Sequence, residues 1–164
     1  NFITPEECQQ FIDFAVDNKN ETPHGNGDTY STKVDWKNHT AIYFGGNVDS
    51  TVPSLDNVIV NRVVDICKSF DPKANLDYVG VVRWPVGTFM KPHVDDNNVH
   101  KPDMFAAMLY LNDDFEGGNT VFHDLVVKPE VGKLIIFSNS QYLHYVTKVE
   151  SDERFVLSFW FNTI

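Results

Sequence analysis

Apolar residues recur at helical spacing twice in the first half of the chain and alternate with polar ones afterwards. Phe11, Ile12, Ala15 and Val16 share one helical face. Ahead of them, Thr4-Pro5-Glu6-Glu7 reads as a helix start, with Thr4 as cap, Pro5 at the first helical position and Glu7 placed to close a capping box. The pattern predicts a helix over residues 5–18. After Pro53, the positions Leu55, Val58, Ile59, Arg62, Val63 and Ile66 repeat it and predict a second helix over 52–70. Residues 19–50 are polar and read as a long loop with short strands near 31–36 and 40–44. From residue 76 the pattern changes to short strands bounded by turn residues, at 77–84, 88–95, 104–112, 119–123, 125–128, 132–137, 142–149 and 154–162. Two helices ahead of these strands predict a mainly β fold, a sandwich or jelly-roll barrel. The last strand is the most informative. Phe155, Leu157, Phe159 and Phe161 form one apolar face, whereas Arg154, Val156, Ser158 and Trp160 form a mixed face suited to lining a cavity.

Length and composition narrow the picture. At 164 residues, with 42% hydrophobic and 22% charged positions, the chain reads as one globular domain over 1–164. A net charge of -10 lacks the positive footprint of a phosphate binder and argues against nucleic acid and anionic membrane as partners. No apolar run is long enough to span a bilayer. Two distant cysteines, Cys8 and Cys67, allow one disulfide and exclude a disulfide scaffold or a four-thiolate zinc site. A reducing, cytoplasmic setting and a monomer are the expectations. The chain starts at Asn1 rather than Met, which is compatible with a trimmed leader.

Three short features carry candidate chemistry. In His93-Val94-Asp95, a strand would point the imidazole and the carboxylate the same way, as two ligands of one metal ion. His144 lies in the apolar stretch Tyr142-Leu143-His144-Tyr145-Val146, and Arg154 opens the mixed face of the last strand. Singly, each has a plain explanation: a histidine bonded to a nearby acid, a satisfied core histidine, and a surface pair with Asp152 or Glu153. Together they are more specific. Two His and one Asp form the facial triad of non-haem Fe(II) oxygenases, which leaves coordination positions open. An inward Arg adds a forked donor for a carboxylate.

At this point the sequence resembles the Fe(II)- and 2-oxoglutarate-dependent dioxygenases, specifically the prolyl 4-hydroxylase-like branch, along nearly its whole length. The stretches that carry the resemblance are residues 1–8, Val82 to Asp95, Leu109-Tyr110-Leu111-Asn112, Phe115 to Phe122, Pro129 to Phe137, then His144, Val149, Arg154 and Phe159-Trp160-Phe161. The resemblance implies a double-stranded β-helix with the two N-terminal helices packed on one sheet. It implies that His93, Asp95 and His144 bind Fe(II), that Arg154 binds the distal carboxylate of 2-oxoglutarate, and that the Tyr110 phenol donates to the same carboxylate. Ser158 would complete that pocket. Trp84 stands where the family usually has a Tyr that holds the metal-side end of the cosubstrate. An indole N–H donates but cannot accept, so its part in cosubstrate binding is left open. Arg at position 154, where collagen-type members usually place Lys, resembles oxygen-sensing, bacterial and viral members.

The implied activity is oxidative decarboxylation of 2-oxoglutarate coupled to C–H hydroxylation, with Fe(II) and dioxygen as reactants and ascorbate as a reductant. The expected substrate is a prolyl residue in a peptide or protein, with basic peptides favoured by the acidic chain. Hydroxylation of another residue, a free amino acid or a small molecule is the alternative within the enzyme class. A non-catalytic jelly-roll binding module is the alternative outside it, and the intact triad and Arg154 argue against that. Residues 22–50 and 96–103 are expected to choose the substrate, and within the stretch Glu21 to Gly46 the rings of Tyr30, Trp36, Tyr43 and Phe44 either form a lid over the site or fill the core under the barrel. His123-Asp124 should not ligate jointly, because adjacent strand residues face opposite ways. His24, His39 and His100 read as solvated, and Asp113, Asp114 and Glu116 as surface charge.

Overall fold

A computed structural model of the chain describes residues 1–17, 22–24, 29–35, 40–42, 48–49, 57–95 and 105–163. Helix α1 spans Pro5–Asp17. Its capping box forms as the sequence predicts: Thr4 N–H donates to Glu7 Oε2 at 2.8 Å and Glu7 N–H donates to Thr4 Oγ1 at 3.2 Å. The helix buries Cys8, Phe11 and Ala15, while Val16, expected on that face, is exposed. Four strands follow, β1 (Thr22–His24), β2 (Thr29–Asp35), β3 (Thr40–Ile42) and β4 (Val48–Asp49). Helix α2 runs Asn57–Phe70 and buries Ile59, Val60, Val63 and Cys67. Val58 and Arg62 lie outside that stripe: Val58 is exposed, and Arg62 stands over the Phe2 ring and donates to the Phe2 carbonyl at 3.0 Å. The predicted opening of this helix at 52–56 is outside the described residues.

The remaining strands are β5 (Ala74–Trp84), β6 (Met90–His93), β7 (Phe105–Tyr110), β8 (Glu116–Gly117), β9 (Thr120–Phe122), β10 (Leu125–Val127), β11 (Leu134–Phe137), β12 (His144–Val146), β13 (Val149–Ser151) and β14 (Arg154–Thr163). They make a large sheet in the order β11-β7-β14-β5-β2-β3-β4, with β1 on β2, a facing sheet β10-β9-β12-β6, and a small β13-β8 pair. This is the mainly β, jelly-roll architecture expected, with two helices on the large sheet. The short strands expected near 31–36 and 40–44 are β2 and β3, and β2 pairs antiparallel with β5 from Tyr30↔Arg83 to Lys33↔Gly80. Two details differ from the sequence pattern. The strand predicted over 142–149 is broken into β12 and β13. The strand predicted to reach residue 95 stops at His93.

The two faces of β14 separate as the alternation predicts. Phe155, Leu157, Phe159 and Phe161 pack with Phe11, Ile59, Val60, Val63, Val79 and Leu109 in the core under the helices. Each such fully buried side chain contributes roughly 1.5–3 kcal/mol. On the other face Val156 joins Val82, Trp84, Tyr110, Val146 and Val149 in a smaller cluster between the sheets. The large sheet is therefore anchored on one side and free on the other to carry polar groups into the space between the sheets.

Candidate functional site

His93 ends β6 and His144 begins β12, and antiparallel pairing sets them directly opposite one another. Their rings lie 4.4 Å apart, centroid to centroid. Asp95 is two residues past the end of β6, and its N–H donates to the Asn139 carbonyl at 2.8 Å. The chain turn and that bond, rather than strand alternation, bring Asp95 to the histidines. His93 Nδ1 lies 2.7 Å from the Lys91 carbonyl and His144 Nδ1 lies 2.8 Å from the Tyr142 carbonyl. A carbonyl only accepts, so each Nδ1 holds the proton and each Nε2 is left with a lone pair. Both lone pairs face one carboxylate oxygen, with His93 Nε2 at 3.3 Å and His144 Nε2 at 3.6 Å from Asp95 Oδ1. The three donor atoms lie within 4.8 Å of one another. Two imidazole nitrogens and one carboxylate oxygen suit a first-row divalent ion such as Fe(II).

The electrostatics fit a cation. Burial raises the pKa of the Asp95 carboxyl, but hydrogen bonds and charge from His144, the Asn139 amide and His93 outweigh burial and hold it below the ordinary value. Burial opposes a charge on His144, yet Asp95 and the Tyr142 carbonyl lift its pKa above the usual imidazole value. Phe122 and Phe137 pack on the His144 ring at 5.9 and 5.0 Å.

A cavity of about 890 Å³ lies between the sheets, with His93, Asp95, His144, Trp84, Thr120, Phe137, Ser158 and Trp160 in its wall. Arg154 is behind that wall and fully buried. Its guanidinium stands 4.7 Å from the Trp84 ring centroid and 5.5 Å from that of Tyr110. Its Nη2 donates to Thr120 Oγ1 at 3.3 Å, and Nε and Nη1 have no hydrogen-bond partner. Desolvation pulls its pKa down to about 10, with Tyr110 opposing. Among the described residues no carboxylate pairs with it: Glu153, the plain candidate, bonds Arg83 at 2.7 Å. A buried cation with two idle donor nitrogens is costly unless a ligand completes it. Trp84 Nε1 is a third buried donor with no partner. A small dicarboxylate such as 2-oxoglutarate fits this set of donors.

The sequence-predicted residues thus gather around one cavity. The phenol of Tyr110, read from the sequence as a donor to the cosubstrate, donates to Thr120 Oγ1 at 2.7 Å, and its ring centroid lies 5.5 Å from the Arg154 guanidinium. Thr120 accepts from both Tyr110 and Arg154, so its own hydroxyl proton is left for the cavity it lines. Sequence reasoning missed Thr120 and Asn139. The alternation in β9 was a usable signal for Thr120, since it shares a face with Phe122. It missed too why glycines precede β9. A Cβ on Gly118 (φ +61°) would sit 2.9 Å from Arg154 Cδ, and one on Gly117 (φ +75°) 1.9 Å from the Lys148 carbonyl oxygen. His123 and Asp124 pair with each other at 2.7 Å, almost fully exposed. Trp36, Tyr43, Phe44, His39, His100 and residues 96–103 lie outside the described residues, as do the side chains of His24 and Tyr30.

Comparison with known proteins gives concordant results. The profile of the 2OG-Fe(II) oxygenase superfamily matches residues 79–162. A mimivirus protein (Acanthamoeba polyphaga mimivirus) named "Putative prolyl 4-hydroxylase" is 24% identical over 98% of this chain and 71% of its own length. "Probable prolyl 4-hydroxylase 8" of Arabidopsis thaliana is 30% identical over 74% of this chain and 42% of its own length. Human prolyl 3-hydroxylase 2 is 35% identical over 35% of this chain, which spans only 9% of that protein. Among solved structures, a Pseudomonas putida prolyl-4-hydroxylase superimposes with a TM-score of 0.73 at 18% identity, covering 99% of this chain and 89% of that one. A Trichoplax adhaerens prolyl hydroxylase in complex with a hypoxia-inducible-factor peptide fragment gives 0.75 at 12% identity, covering 99% and 81%. These superpositions bear on the fold.

Proposed function

Because the chain belongs to the 2OG-Fe(II) oxygenase superfamily and is a prolyl hydroxylase-like dioxygenase dependent on Fe(II) and 2-oxoglutarate, we propose that it hydroxylates a prolyl residue of a peptide or protein. We further propose that His93, Asp95 and His144 hold the iron and that Arg154 and Thr120 hold the distal carboxylate of 2-oxoglutarate, with Ser158 and Trp84 beside it. The observation that carries the site assignment is the buried, unpaired Arg154 guanidinium behind the same cavity whose wall bears the His-Asp-His cluster. The prolyl substrate rests on the relatives, which bear that activity in their names.

When bound, iron with 2-oxoglutarate and dioxygen supplies the oxidising chemistry, giving succinate, carbon dioxide and one oxygen atom for the substrate C–H. The chain's own part is placement. The Lys91 and Tyr142 carbonyls keep the imidazole protons on Nδ1, so both Nε2 atoms remain ligands. Trp84 stacks on Arg154 and Thr120 bonds it, so the guanidinium is oriented before a carboxylate arrives. Val82, Met90, Val146 and Trp160 in the cavity wall limit water around the reacting groups.

The test is incubation with Fe(II), 2-oxoglutarate and a proline-containing peptide library, read by mass spectrometry. Succinate formation with a peptide gaining one oxygen at proline is expected. Turnover of 2-oxoglutarate with oxygen added only to another residue or to a small molecule would overturn the prolyl assignment and leave the site assignment standing.

A further inference from the structure

The turn joining β11 to β12 touches two of the three clustered side chains. It is closed by the Tyr142 N–H donating to the Ser138 carbonyl at 3.1 Å. At one end the Tyr142 carbonyl accepts the His144 Nδ1 proton. At the other end Asn139 reaches Asp95 twice. Its backbone carbonyl accepts the Asp95 N–H at 2.8 Å, and its Nδ2 donates to Asp95 Oδ2 at 2.7 Å. Asn139 is fully buried, yet its own Oδ1 has no hydrogen-bond partner. A buried amide with one half unsatisfied is a poor choice for stability alone.

The two Asp95 oxygens are thereby divided. Oδ2 is taken by Asn139, and Oδ1 faces both Nε2 atoms. A carboxylate that binds through one oxygen fills one coordination position, whereas one that swings to bind through both fills two. With two imidazoles, one-oxygen binding leaves three positions of a six-coordinate ion open, and two-oxygen binding leaves two. A cosubstrate that chelated through two oxygens, together with dioxygen, would need all three.

We propose that Asn139 is a positioning residue that keeps Asp95 a one-oxygen metal ligand by holding its second oxygen, and so keeps a coordination position free for dioxygen. This rests on the metal-site assignment above. Because the backbone bond to Asp95 survives any side-chain change at 139, substitution removes the side-chain restraint alone.

The test compares wild type with Asn139→Ala, the near-isosteric and donor-free Asn139→Leu, and Asp95→Ala. Mn(II) affinity by titration, melting temperature of the metal-free protein, and kcat and KM for 2-oxoglutarate are measured for each. Loss of a group that orients a ligand typically lowers metal affinity about 10–100-fold. That loss is expected for both Asn139 variants, with a fall in kcat larger than any rise in KM and little change in metal-free melting temperature. Mn(II) affinity within twofold of wild type in the Asn139 variants would overturn the inference. So would a lowered melting temperature with unchanged affinity, which is what a purely structural role produces. If Asp95→Ala also binds Mn(II) like wild type, the metal-site assignment itself falls. If only Asp95→Ala loses affinity, the inference about Asn139 falls alone.

Discussion

Replacing Arg154 by Met should cost cosubstrate binding far more than it costs stability. In the free protein the guanidinium is fully buried with Nε and Nη1 unpartnered. Exchanging buried charge for an apolar side chain of similar volume is commonly neutral or stabilising by about 1–4 kcal/mol. Against that stand the stack on Trp84, roughly 0.5–2 kcal/mol, and the Thr120 hydrogen bond, about 1 kcal/mol. The balance runs from about 2 kcal/mol less stable to about 2.5 kcal/mol more stable, so the ligand-free variant should melt close to wild type. With 2-oxoglutarate the two proteins separate. Deleting one partner of a buried charge pair costs roughly 3–5 kcal/mol, which is about a hundredfold to several thousandfold in affinity. Arg154→Lys keeps the charge without the fork and should fall between the two. The assay is thermal unfolding of Mn(II)-loaded protein with and without 2-oxoglutarate. Ligand at a hundred times its Kd stabilises wild type by about 2.7 kcal/mol, and Arg154→Met should gain at most about 0.4 kcal/mol at that concentration. A variant destabilised by more than ~2 kcal/mol without ligand would refute the idea of a strained free cation. An unchanged ligand-induced shift would refute carboxylate binding at Arg154.

Other expectations follow from the same geometry. His93→Ala, Asp95→Ala and His144→Ala should each abolish succinate formation while circular dichroism shows the fold retained; full turnover in His144→Ala would contradict the ligand assignment. Gly118→Ala should raise the KM for 2-oxoglutarate, because its methyl meets Arg154 Cδ and Phe115 Cε2 at 2.9 Å; an unchanged KM would show that Arg154 is not placed by that contact. The thiols of Cys8 and Cys67 are buried, and burial pushes their pKa values up to about 11 and about 12 from 9.0. A pKa raised in the folded state gives stability that is present below the unfolded value and lost as pH rises through the folded one, so melting temperature should fall between pH 9 and about 11–12. Both thiols should resist iodoacetamide at pH 8 until urea unfolds the chain; rapid labelling of native protein would contradict their burial. Peptides carrying Lys or Arg near the target proline should react faster at low salt, given the net charge of -10, and equal rates for acidic and basic peptides would remove that electrostatic contribution.

How much of this was legible beforehand depended on whether the signal was local. The α1 capping box, the helix periods and the two faces of β14 are short-range patterns, and each appears in the structure. The faces that His93, His144 and Arg154 take were legible in the same way, because alternation sets the side of a strand a residue occupies, whereas the pairing that sets His93 opposite His144 is long-range. What was not legible depends on partners distant in sequence. The outer position of Val16 and the rotated stripe of α2 are set by what the large sheet offers to pack against. Thr120 and Asn139 are small polar residues without a distinctive spacing, and their importance appears only when Arg154, 34 residues on from Thr120, and Asp95, 44 residues back from Asn139, come within bonding distance. The end of β6 at His93 likewise reflects the Asn139 carbonyl capturing the Asp95 N–H, a contact that local propensity cannot anticipate.

The most direct test is a crystal structure of the protein with Mn(II) and 2-oxoglutarate. The metal should be bound by His93 Nε2, His144 Nε2 and Asp95 Oδ1, with Asp95 Oδ2 still on the Asn139 amide. One cosubstrate carboxylate should sit on the Arg154 guanidinium and on the Thr120 hydroxyl. A metal bound elsewhere, or a cosubstrate that leaves the Arg154 donors empty, would contradict the assignment of this cavity.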